Sequence, residues 1–427
     1  MTKINRFTGS DAEKILRRSQ LDMENVNAAV REIIAAVRAK GDEALFAYTE
    51  KFDRNRLSPG TVLVTEDEMR AAYDSVPAGT LEALRHARDN ILAYHKRQVR
   101  TDNVRTDGGR TTGYLIRPVE RAGIYVPGGK AAYPSSVLMC ACPALAAGVG
   151  EIVMTTPAPD GRLNPLTVVA AAECGIRRIF KVGGAQAVAA LAFGTESVPR
   201  ADVIAGPGNI YVAVAKREVF GNVGIDMIAG PSEILILADR SARPDYLAAD
   251  MLSQAEHDEL AMSLLITDSA EVADRTAAEL EKQLVVLPKR DIAEKSLSAY
   301  GGIVLVGDMK EAVSIANRIA PEHLELCVAE PEKLLPEIRN AGAVFMGHYS
   351  PEPLGDYYAG PNHVLPTSGT ARFFSALGVD NYIKKISVIR YEKEPLLRAA
   401  DDIICLAHAE GLDAHANSVR VRKESEV

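Results

Sequence analysis

No G-x-G-x-x-G fingerprint occurs in the 427 residues, so a dinucleotide site cannot be read from that motif. No apolar run reaches the roughly 18 residues a membrane helix needs. The stretch from Ile4 to Arg18 carries too many charges for a secretory signal. Basic excess is missing too: the formal net charge is −8 and the pI is near 5.6, which removes the electrostatic case for nucleic acid. Five cysteines, an odd number, do not make a disulfide framework. Cys140, Cys142, Cys174, Cys327 and Cys405 stand mostly in apolar surroundings, where a thiol behaves as a small hydrophobe. Low-complexity tracts and short-period repeats are lacking. What remains is a globular protein expected in the cytoplasm, with neither membrane nor nucleic acid as a partner.

Apolar residues make up 47% of the chain and charged ones 25%, and the length calls for two or more domains. Helical periodicity dominates residues 11 to 97, with Val26, Val30, Ile33 and Val37 on one face and Leu84, Ala87 and Ile91 on another. Strands then alternate with helices. Strands are expected near 114–118, 122–126, 151–155, 178–182 and 202–204, with helices at 135–147, 165–173, 185–193 and 210–218 between and after them. Asn164 is placed to cap the helix opened by Pro165. A second alternation starts at Glu233 and runs through a strand at 324–329. Such alternation implies parallel sheets covered on both faces. The expected fold is therefore α/β with two partial doubly wound layers, the second recruiting the early helices. Residues 348 to 369 form a long loop rich in Gly, Pro, Asp, Asn and Tyr, of the kind a compact domain keeps for function. Residues 395 to 423 read as helical.

Chemistry concentrates in a few places. Glu322 and His323 sit side by side after the helix-stopping Pro321, on a short connection before a strand. An imidazole titrating near neutrality beside a carboxylate suits a general base paired with a water-activating group. Their place before a strand is unusual, since ligands in open α/β sheets gather beyond strand C-terminal ends. Gln254 and His257, three residues apart at a helix end, could meet a common ligand or simply share a surface face. Asp356 and His415 could complete a mixed nitrogen and oxygen shell of the kind zinc accepts. The glycine turns at 126–130, 182–186 and 206–209 could each seat a phosphate at a helix N-terminus, or be no more than tight connections. His86 and His95 fall in the early surface-helix region and suggest no role.

Seven stretches together resemble the histidinol dehydrogenase family, in order and spacing along nearly the whole chain. They are GIYVPGG at 123–129, AGPGN at 205–209, AGPSE at 229–233, QAEH at 254–257, APEHL at 320–324, GDYYAGPNHVLP at 355–366 and GLDAH at 411–415. The resemblance implies a zinc-dependent homodimer that oxidises L-histidinol to L-histidine with two NAD. It implies one Zn2+ per subunit, held by Gln254, His257, Asp356 and His415, the last from the partner across a shared active site. His323 takes the role of general base and Glu322 that of the water-activating residue. Ser232 and Glu410 match substrate-contacting positions, with His363 beside them, and the zinc ligands and His323 also line the substrate. Tyr125, Gln186 and Asn209 match positions that contact NAD. The implied layout is an N-terminal helical segment at 1–21 and a discontinuous α/β domain of 22–121 with 233–380 carrying zinc and the catalytic pair. An NAD-binding α/β domain at 122–232 and a dimer-crossing helical segment at 381–427 complete it.

Two other readings fit parts of the pattern. A relative with the same zinc and NAD chemistry could act on another small polyol, such as a sulfonated propanediol. Glu410 and His363 favour histidinol, because an anionic substrate would want Arg or Lys near the metal. A zinc hydrolase could use Glu322 and His323 without a nicotinamide, and the turns carrying Tyr125, Gln186 and Asn209 argue against it.

Overall fold

The computed structural model describes residues 4–11, 24–128 and 133–424. The chain divides into two compact units, Met1–Gln98 with Val119–Tyr382, and Val99–Pro118 with Ile383–Val427. Both large sheets belong to the first unit. Strand β1 (Arg6–Thr8) corrects the expectation of a wholly helical segment at 1–21, of which residues 1–3 and 12–21 lie outside those described. Phe7 packs into an apolar cluster there, and the strand pairs along an exposed sheet edge. Strands β2 (Asn103–Asp107) and β3 (Arg110–Pro118) belong to the smaller unit.

The first sheet is built from β4 (Arg121–Tyr125), β5 (Glu151–Thr155), β6 (Arg178–Phe180), β7 (Val203–Ala205) and β8 (Gly224–Ile225). Its order is β6-β5-β4-β7-β8, all parallel. Ile152, Val153 and Met154 are buried in succession, as a strand covered on both faces requires. The connecting helices carry the expected caps: Asn164 accepts from the amides of Leu166 and Thr167, and Asn209 from those of Tyr211 and Val212. Strand order reverses between β4 and β7, which opens a crevice beyond their C-terminal ends.

The second sheet comprises β9 (Glu233–Ala238), β10 (Met262–Thr267), β11 (Gly301–Leu305), β12 (His323–Cys327) and β13 (Ala343–Met346). With β1 at one edge its order is β1-β11-β10-β9-β12-β13, again parallel throughout. This is an α/β fold with parallel sheets and covering helices, as the alternation implies.

The early helices go to the other layer. Val30, Ile33 and Leu45 share a buried cluster with Phe180, Val182 and Val188, while Leu84, Ala87 and Ile91 join Ile124, Leu138 and Met154. Residues 24–96 therefore cover the first sheet rather than the second. The reason lies in backbone pairing that no side-chain period reveals. Val64 N donates to Ile179 O at 2.9 Å and Lys181 N to Val62 O at 2.8 Å, so this segment is pinned along the edge strand β6. A further correction concerns residues 381–427, which are not all helical. Strand β14 (Ile383–Tyr391) pairs antiparallel with β3, giving a three-stranded sheet β14-β3-β2, and the helices Lys393–Ala409 and Asp413–Glu424 follow.

One buried ion pair sets the turn at the crevice. Lys216 and Asp226 are 2% and 4% exposed and contact each other. Lys216 Nζ also donates to Gly206 O at 3.0 Å, and Asp226 Oδ2 accepts from Gly206 N at 2.8 Å. Gly206 has φ +120°, and a Cβ there would collide with Tyr125 O. Truncating one partner leaves a buried charge, so Asp226→Ala should cost about 3–5 kcal/mol. Thermal and denaturant melts read this directly, and an unchanged midpoint would show that the pair contributes nothing.

Candidate functional site

Parallel pairing of β9 with β12 puts Glu322 and His323 beside Ser232 and Glu233, at the N-terminal edge of the second sheet. The main chain of Glu233 holds both. Its N–H donates to Glu322 Oε2 at 2.9 Å, and its carbonyl lies 3.0 Å from His323 Nδ1. A carbonyl can only accept, so Nδ1 carries the proton and Nε2 is the free lone pair. Nε2 is buried without a hydrogen-bond partner, 3.9 Å from Asp356 Oδ1. Burial lowers the His323 pKa to about 4, so the ring is neutral at pH 7 and its Nε2 lone pair is unprotonated. Glu322 moves the other way. Burial pushes its carboxyl well above the usual range, against hydrogen bonds from Glu233 N and the Ser232 side chain.

The third wall of the site comes from the long stretch after β13. It contains a short helix, Glu352–Tyr357, which the sequence reading leaves as loop. Glu352 and Asp356, four residues apart, share its inner face. His257, Glu352 and Asp356 each offer one ligand atom, and these atoms lie within 4.8 Å of one another. Gln254 is fully buried in the last turn of the helix Pro244–Ala255, and His257 follows it. Glu352 is 2% exposed, with Oε2 lacking any hydrogen-bond partner, and burial followed by the Asp356 charge raises its pKa well above the usual value. An orphaned acid oxygen beside a histidine and a second acid is the chemistry of a divalent-cation site, and mixed N/O donors suit zinc. The donor set fits the ion that the resemblance implies.

Of the expected site residues, the structure brings together Ser232, Gln254, His257, Glu322, His323 and Asp356. His363 joins them: its Nδ1 donates to Asp356 O at 3.0 Å, and its Nε2 faces Ser136 Oγ at 3.4 Å. Burial lowers the His363 pKa. Glu410 and His415 belong to the smaller unit, at the end of one helix and in the first turn of the next. Glu352 was missed. Its signal, an acid four residues before Asp356, becomes visible only once that stretch is known to be helical. His95 also needs correction: it is fully buried, bonded through Nδ1 to Gln98 at 2.9 Å and through Nε2 to Asn362 at 3.2 Å. It ties the early helices to the long loop.

Tyr125, Gln186 and Asn209 all lie at the C-terminal edge of the first sheet, by the crevice. The Tyr125 hydroxyl accepts from Gly184 N at 3.1 Å, at the start of the helix carrying Gln186. Gln186 Oε1 is buried without a partner. Residues 129 and 130 of the first glycine turn lie outside those described. A reversal of strand order, two helix N-termini and an orphaned acceptor fit a dinucleotide.

The comparisons agree with this geometry. The family described as histidinol dehydrogenase matches residues 16–423. Histidinol dehydrogenase of Syntrophotalea carbinolica is 53% identical over 415 residues, 97% of this chain and 96% of that protein. The enzyme of that name from Moorella thermoacetica is 54% identical over 419 residues, covering 97% and 99%. The crystal structure of histidinol dehydrogenase from Elizabethkingia anophelis superposes with a TM-score of 0.93 at 36% identity, covering 100% of this chain and 99% of that one. A hydrolase is set aside, and the chain belongs to the histidinol dehydrogenase family, as an oxidoreductase.

Proposed function

We propose that the chain oxidises L-histidinol to L-histidine, the last steps of histidine biosynthesis, in two two-electron steps through bound L-histidinaldehyde. The observation that carries this is the tautomer of His323, whose Nδ1 is committed to Glu233 O and whose Nε2 is free beside the His257–Glu352–Asp356 cluster. Gln254, His257 and Asp356 would hold zinc, with His415 of the partner subunit completing the set. Zinc supplies a Lewis-acid anchor for the amine and imidazole nitrogens of the substrate, and NAD supplies the hydride acceptor for each oxidation. His323 Nε2 takes the hydroxyl proton as the first hydride leaves. Glu322 accepts a proton from water as it adds to the aldehyde while His323 returns its proton to the carbonyl oxygen, giving the hydrate that loses the second hydride. Ser232 steadies Glu322, and Glu410 and His363 favour a cationic substrate over an anionic one. Tyr125, Gln186 and Asn209 would shape the NAD crevice.

A homodimer with shared active sites accords with the smaller unit. It exposes Ile386, Ile389, Ile403, Leu406 and Leu412, apolar side chains of the kind an interface covers. The reaction belongs in the cytoplasm, where NAD is kept.

Incubation of the protein with L-histidinol and NAD, before and after chelation, tests the whole reading. Two NADH per histidinol, lost on chelation and restored by zinc, is the expected result. NAD binding with inert histidinol would move the substrate to another polyol. His323→Asn should lower turnover by about 10²–10⁴-fold, the usual contribution of a general base, with zinc content unchanged. Zinc lost together with activity would make His323 a ligand instead. Glu322→Gln should slow the aldehyde-to-acid half more than the alcohol half, and equal slowing would break its link to water. His415→Asn should strip zinc, and mixing it with His257→Asn should recover activity through hybrid dimers. Absence of any recovery would sink the shared site.

A further inference from the structure

Glutamine is a weak metal ligand that binds through its oxygen, so its amide nitrogen must be held away from the ion. Gln254 sits fully buried among Glu352, Glu233 and His323. With its nitrogen turned toward them, it donates to Glu352 Oε1 at 3.3 Å and to Glu233 O at 3.2 Å. The opposite orientation would face its oxygen against two acceptors. His323 Nδ1, 3.2 Å away, already donates to Glu233 O and so cannot accept from the amide. Both acceptors therefore select one orientation, and the oxygen is left to point elsewhere.

We propose that Glu352 is a positioning residue of the metal site, acting through Gln254: its Oε1 locks the amide so that the Gln254 oxygen is presented to the ion. The proposal rests on the zinc reading above. Glu352 can do this because it is itself fixed. Its backbone N–H donates to Glu325 Oε1 at 2.9 Å, and Glu325 lies beside Asp250. That chain runs from the middle of the helix carrying Gln254, through β12, back to the amide of Gln254. The same residues that bury the ligand thus determine which of its atoms faces the ion. Partners of this kind typically contribute 10–100-fold to metal affinity.

The test compares two substitutions that both remove the charge of Glu352 and differ only in keeping an acceptor. Zinc affinity is measured on the full-length protein by competition with a chromophoric chelator, starting from metal-free samples whose melting temperatures confirm folding. Glu352→Gln keeps an oxygen for the Gln254 amide, and Glu352→Met does not. Glu352→Met should bind zinc about 10–100-fold more weakly than Glu352→Gln. In a Gln254→Ala background the two should bind alike, because the group they act through is gone. Equal affinities in the native background would overturn the proposal. So would a gap that persists without Gln254, since Glu352 would then act on the ion directly. Should Glu352→Met fail to fold, Glu352→Ala makes the same comparison. A native protein that binds no zinc would instead overturn the metal reading itself, an outcome separate from the other two.

Discussion

The catalytic pair depends on one residue's main chain. Glu233 opens β9, and its main chain serves both members of the pair. Here the N–H goes to Glu322 and the C=O to His323. Both bonds follow from the register His323↔Ile234, so strand pairing itself sets the geometry of acid and base. A one-residue slip would reverse every side chain of β12 and take His323 out of the site. The apolar run Ile234–Ala238, buried throughout, guards against that slip.

The same register explains why the chemistry sits at the wrong end of the second sheet for an open α/β fold. The first sheet ends at β8, and residues 226–232 lead directly into the start of β9. The C-terminal edge of one sheet is thereby joined to the N-terminal edge of the other. The long stretch after β13 crosses between them. His363 reaches Ser136 behind the first sheet's crevice, Asn362 binds Met139 O at 2.6 Å, and Thr367 accepts from Gly230 N at 2.5 Å. A crevice suited to a dinucleotide and a cluster suited to a cation are thus tied together by His363, which bonds to Ser136 and to Asp356 O. Each obeys its own rule, and the rule of strand C-terminal ends holds for the first sheet only.

Much of this was legible in the sequence, for identifiable reasons. Caps such as Asn164 and Asn209 act within a turn, and the apolar runs of β9 and β10 have one stable environment, so local pattern suffices. Glu322 and His323 stood out because Pro321 forces a stiff connection. The assignment of the early helices failed because it depends on Val62 and Val64 pairing with Lys181 and Ile179, more than a hundred residues away in the chain. Glu352 was hidden because a six-residue helix has no period to show. His95 looked idle because its partner, Asn362, lies 267 residues along the chain. Long-range hydrogen bonds leave no local mark.

Burial of acids is the feature of this corner that most constrains its energetics. Asp250, Glu325, Glu352 and Glu322 all have raised pKa values, in each case chiefly through burial. Removing a carboxylate from water costs several kcal/mol, which hydrogen bonds or a nearby cation must offset. A cation held by Gln254, His257 and Asp356 would offset that cost through its charge. Occupancy and local stability are then a single equilibrium. A ligand bound only by the folded state, at a thousand times its dissociation constant, stabilises that state by about 4 kcal/mol. That is as large as the buried ion pair at the crevice, and it acts on the part of the molecule where polar burial costs most. The arrangement that leaves His323 Nε2 unpaired would therefore also make the fold around it depend on what the site holds.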